Sequence, residues 1–166
     1  LYANGFDFTP VTYPVPGSSP TKITVADVTA DGRLDIAYID PYVNTLGVLE
    51  NLGNRSFFVH PLRNTLQTPT GLEVGDFNRD GMDEVMISTT NDDQRSVISI
   101  FSGGPDGLGP QQFESAGLSG PANDVTVGEF DPLTHLGSFR VQRVVPTVSL
   151  EVIETPVVSM RVSATE

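Results

Sequence analysis

The chain has no cysteine and only two histidines, His60 and His135. Disulfide scaffolds, thiol nucleophiles and cysteine-ligated zinc are therefore excluded, and cysteine usage gives no hint of the redox compartment. Basic residues are also scarce: 9 Lys and Arg stand against 21 Asp and Glu, a formal charge of -12. Nucleic acid and anionic membrane surfaces are poor partners for such a chain, and cations are natural ones. No apolar run approaches the ~20 residues that a membrane-spanning helix needs, so membrane insertion is not expected. No signal peptide is visible at the start. Leu1 in the place of an initiating Met reads as processing or as a fragment, which leaves secretion open.

Helical periodicity is missing too. No stretch of ten or more residues repeats its apolar positions every 3.6 residues, while 16 Gly and 13 Pro punctuate the whole length. Short alternating segments take their place: TKITVADV, LDIAYID, GVLENL, LEVGDF, EVMIST, SVISIFS and DVTVGEF, bounded by Gly, Asn, Asp and Pro. The pattern predicts an all-β chain. At 166 residues with 38% apolar content, one ordinary core and a single domain over 1–166 are expected.

The alternation is repetitive. PTKITVADVTADGRLDIAYID (20–40) aligns without a gap on PTGLEVGDFNRDGMDEVMIST (69–89), so that Asp27 falls on Asp76, an offset of 49 residues. A third copy opens at PANDVTVGEFD (121–131), where Val127 falls on Val74 at an offset of 53. LGPQQFESAGLSG before the third copy echoes NGFDFTPVTYPVPGSS before the first. Each repeat reads as four short antiparallel strands, the unit of a β-propeller blade. Blade one is expected at about 20–62 and blade two at about 69–116. A degenerate third blade or strand-exchange tail follows at about 121–166, and residues 5–15 read as the outer strand of a further blade.

VADVTADGRLDIAYI and VGDFNRDGMDEVMI, with the following TLGVLENLGNRSF and SVISIFSGGPDGLGPQQF, resemble the FG-GAP or VCBS-like repeats of integrin α-chain propellers, some fungal lectins and many secreted bacterial proteins. The resemblance covers about residues 5–131. It implies propeller blades with Ca²⁺ held in the turn between the first and second strands, and an extracellular or cell-surface location.

The residues of those turns suit that metal. In DVTADGRLD the oxygen-bearing side chains stand at loop positions one, three, five and nine: Asp27, Thr29, Asp31 and Asp35. DFNRDGMDE repeats them as Asp76, Asn78, Asp80 and Glu84. Ca²⁺ takes six to eight oxygen ligands at about 2.3–2.6 Å, and alternate residues of a tight loop point inward together. Gly32 and Gly81 at position six permit the sharp turn. Position seven, Arg33 or Met82, is expected to offer its carbonyl oxygen. Mg²⁺ fits less well because it demands stricter octahedral geometry. The same residue types also build ordinary acidic β-turns with no metal. Asp83, at position eight, reads as solvated. In the third copy Glu129 and Asp131 start the loop but PLTHLG replaces the Asp-Gly step, so that site is expected to be lost.

Other chemistry is thinly supported. His60 and His135 read as strand-end or loop residues. No Ser lies in a Gly-x-Ser-x-Gly elbow. GGPDGLG (103–109) lacks the Lys-Ser/Thr of a phosphate loop and reads as the turn between the third and fourth strands of a blade. The tail from 137 alternates well around Pro146 and Pro156, with Val148, Leu150 and Val152 on one face and Val158, Met160 and Val162 on another. Three blades do not close a ring of four to eight. The chain is then a piece of a larger propeller or associates with itself through edge strands. The expected function is a non-catalytic extracellular module for adhesion or recognition, with glycan or protein ligands. A structural subunit held in a surface assembly by strand exchange is the alternative.

Overall fold

The computed structural model describes residues 10–17, 19–65, 67–78, 80–93, 95–120, 122, 124–128 and 138–142. Among these residues the chain is all-β, with eleven strands and no helix. Strands β1 (Lys22–Ala26), β2 (Asp35–Asp40), β3 (Thr45–Gly53) and β4 (Ser56–Val59) form an antiparallel meander, to which β5 (Arg63–Asn64) adds along β3. The second meander repeats it as β6 (Thr68–Gly75), β7 (Glu84–Thr90), β8 (Arg95–Phe101) and β9 (Gln111–Ser119). A third sheet pairs β10 (Asp124–Gly128) with β11 (Ser138–Gln142). Two successive four-stranded meanders, with no closed barrel, are the arrangement expected of propeller blades.

Alternation decides which residues meet between the sheets. On the first sheet Ala37, Ile39, Leu46 and Val48 share one face, because the register sets Ala37 against Val48 and Ile39 against Leu46. They form one buried cluster with Leu72, Val85, Ile87 and Phe101 of the second sheet, and Leu108 reaches it from the β8–β9 connection. Each aliphatic side chain fully buried there contributes on the order of 1.5–3 kcal/mol. The opposite face of the second sheet carries Met86 and Ile98, both fully buried. Beside it β10 lies against β6 and β7, with Val125 buried as well. The three sheets therefore stack in chain order.

One cross-strand pair is built around a missing side chain. Gly47 lies opposite Tyr38, and a Cβ at Gly47 would stand 2.2 Å from the Tyr38 ring. The ring covers the bare backbone and its hydroxyl donates to the Pro16 carbonyl at 2.9 Å. Burial, and then the charge of Asp40, pushes the Tyr38 phenol above its ordinary value. Tyr13 also reaches the first sheet, standing edge-on to Phe57 with ring centroids 5.0 Å apart.

The first sheet runs from Lys22 to Asn64 and the second from Thr68 to Ser119. Residues 10–15 of the expected outer strand form no strand, and 5–9 lie outside the described residues. Glu129, Asp131, His135 and the tail beyond 142 also lie outside them.

Candidate metal-binding loops

The β1–β2 and β6–β7 connections fold by the same scheme. Position one accepts two backbone N–H groups with its two oxygens. Asp27 takes Asp31 N at 3.0 Å and Gly32 N at 2.9 Å, and Asp76 takes Asp80 N and Gly81 N, each at 3.0 Å. Position five then accepts the N–H two residues on, Arg33 on Asp31 and Met82 on Asp80, each at 2.9 Å. Position six has φ of +83° at Gly32 and +89° at Gly81, backbone that other residues adopt only with strain.

Position nine closes each loop from the strand that follows. Asp35 opens β2 fully buried: its Oδ2 accepts the N–H and the hydroxyl of Thr29, each at 3.0 Å, and its Oδ1 accepts Asn51 N at 2.8 Å. Glu84 opens β7 with 3% exposure. Its Oε2 accepts Phe77 N at 2.9 Å and Asn78 N at 3.3 Å. Burial pushes the Glu84 carboxyl above its usual range, the two backbone donors pull it down, and the charges of Asp80 and Asp76 raise it again. A cation placed among these groups would reverse the repulsion.

The loops differ at their centres. In the second, the Asn78 amide nitrogen stands 2.9 Å from Asp80 Oδ2 and 3.0 Å from Glu84 Oε1, so positions three, five and nine meet at one point. In the first, the Arg33 guanidinium pairs with Asp31 and also donates to the Asn51 carbonyl. Arg33 therefore acts through its side chain, which the sequence reading did not foresee. Met82 has no charge to play that part.

The donors suit a hard cation in kind, since carboxylates, an amide, a hydroxyl and carbonyls are all oxygen ligands. Most of the hydrogen-bonded carboxylate oxygens accept only one bond and keep a lone pair. Among the described residues, no three His, Asp or Glu side chains form a cluster that would hold a metal. The loops hold their acids within reach of one another without a preformed cage.

Asp83 is not simply solvated. Its Oδ2 accepts the backbone N–H of Asp27 at 3.1 Å, so position eight of the second loop caps position one of the first. The β8–β9 connection presses on the same seam: a Cβ at Gly103 would lie 2.3 Å from the Asp83 carbonyl oxygen and 2.5 Å from that of Val28. Gly104 N donates to the Val28 carbonyl at 2.9 Å. The two loops are joined across the sheet interface. His60 serves elsewhere, with its Nε2 3.0 Å from Glu50 Oε2 beside the first sheet.

Comparison with curated proteins gives no match. Residues 27–87 match the model of the FG-GAP-like repeat, from the first residue of the first loop to the middle of β7. Both acidic loops and strands β2 to β6 lie within that span, while β1 precedes it, and over these residues the chain is similar to the FG-GAP-like repeat.

Proposed function

We propose that the chain is an extracellular, non-catalytic recognition or adhesion module that binds a glycan or protein ligand and holds Ca²⁺ in its two β1–β2-type loops. The observation that carries this reading is the FG-GAP-like repeat over 27–87, which takes in both loops. Asp27, Asp31 and Asp35, with Thr29 and the Arg33 carbonyl, would hold one ion. Asp76, Asn78, Asp80 and Glu84, with the Met82 carbonyl, would hold the other. Bound Ca²⁺ would supply charge neutralisation and a fixed loop geometry, not chemistry. Among the described residues no helix is long and apolar enough to cross a membrane.

Binding to an array of glycans and to a panel of cell-surface ectodomains, in Ca²⁺ and then in chelator, tests the reading. Saturable binding that chelator abolishes is expected. Concentration-dependent polymers with no ligand of either class would favour a structural subunit joined through its edge strands.

A further inference from the structure

We infer that Asp83 is a positioning residue that couples the order of the two loops, so that a cation held by the second raises the affinity of the first. The effect on affinity rests on the Ca²⁺ reading of both loops; the link itself does not. Asp83 stands at position eight of the second loop, between Met82 and Glu84, which would hold the ion from positions seven and nine. A cation there fixes the backbone on both sides of Asp83. The Asp83 Oδ2 accepts the N–H of Asp27, position one of the first loop, at 3.1 Å. The Asp27 carboxylate in turn accepts the N–H groups of Asp31 and Gly32 at 3.0 and 2.9 Å. One hydrogen bond thus joins the closing turn of the second loop to the residue around which the first is organised.

A second contact clamps the same pair. Gly103 lies against the carbonyl oxygens of Asp83 and of Val28, position two of the first loop, both nearer than a Cβ would allow. Gly104 N donates to that Val28 carbonyl at 2.9 Å. A shift of either loop therefore presses on the connection that touches the other. Only the second loop carries the linking carboxylate, because position eight of the first is Leu34, 60% exposed. Ordering the two ends of this link costs conformational entropy, and the loop that binds first lowers that cost for the other. The coupling is reciprocal by linkage.

Amide hydrogen exchange and Ca²⁺ titration of the whole chain, both read residue by residue by NMR, test it. In chelator, Asp83→Ala should speed exchange at the Asp27, Asp31 and Gly32 amides by about threefold or more and leave those of Asp80 and Gly81 unchanged. Asp83→Asn, which keeps an oxygen acceptor at that place, should restore the protection. In Ca²⁺, the first-loop affinity followed at the Gly32 amide should fall about fivefold in Asp83→Ala. Asp80→Ala, which takes a ligand from the second loop, should give a similar loss, and the two together no further one. Unchanged exchange at Asp27 in Asp83→Ala would overturn the proposal, as would fully additive losses of affinity. Asp83→Asn behaving like Asp83→Ala would also overturn it, since charge and not the hydrogen bond would then be at work. A wild-type chain that takes up no Ca²⁺ would overturn the proposed function and with it the effect on affinity, and the exchange readout, made without metal, separates that failure from a failure of the link.

Discussion

Arg33 and Met82 occupy the same place in two loops that are otherwise bonded alike, and one carries a cation of its own. The Arg33 guanidinium sits on Asp31, so an entering Ca²⁺ has to compete with it for that carboxylate. Exposed pairs of this kind hold about 0.2–1 kcal/mol, which corresponds to at most about a fivefold effect on affinity. Arg33→Met should therefore tighten Ca²⁺ binding at the first loop by about two- to fivefold in a calorimetric titration, and an unchanged or weaker affinity would show that the ion pair does not compete. The glycines at position six carry a different demand. Nothing lies within 4 Å of a Cβ at Gly81, so Gly81→Val meets no clash, but its φ of +89° is one that a β-branched residue rarely adopts. A lower melting temperature with or without metal is expected, and an unchanged one would show that the turn relaxes without cost.

Strand pairing sets the next level. Tyr38 over Gly47 leaves no room for a methyl group, and Gly47→Ala must displace a buried ring from between β2 and β3. Overpacking of that kind costs typically 1–3 kcal/mol, to be read from denaturant unfolding. Tyr38→Phe keeps the ring and removes the hydroxyl that donates to Pro16, at about 0.5–1.5 kcal/mol. Because the folded phenol is raised above its unfolded value, its neutral form is the stabilised one. That contribution is full below the unfolded phenol's pKa of about 10 and is lost as pH rises through the folded value. The wild-type chain should lose stability above about pH 10 more steeply than Tyr38→Phe. Equal slopes would contradict the assignment.

Much of this level was legible in the sequence. The gapless match of 20–40 with 69–89 marked two equivalent units, the Asp-Gly steps marked their sharp turns, and GGPDGLG marked the β8–β9 connection. What escaped depends on distance along the chain. Asp83 caps Asp27 from 56 residues away, and no local pattern brings an acid at position eight to the preceding repeat. Tyr38 over Gly47 follows from the register of β2 on β3, which alternation alone does not fix. Met82 at the matching position points to the carbonyl of Arg33, and that match hides a charge that only one loop carries.

At the scale of the molecule, Asp83 and Gly103 tie the loops to each other and to the sheet interface, so metal in the loops should stabilise the stack as a unit. A ligand that binds only the folded chain adds about 2.7 kcal/mol for each site at a free concentration 100 times its Kd. The most direct measurement is a calorimetric Ca²⁺ titration of the chelator-stripped chain beside Asp80→Ala, with melting temperatures recorded in Ca²⁺ and in chelator. Two ions per wild-type chain are predicted, one in the variant, with a clear rise in melting temperature on adding Ca²⁺. No uptake by the wild-type chain and an unchanged melting temperature in chelator would contradict calcium as the role of the loops.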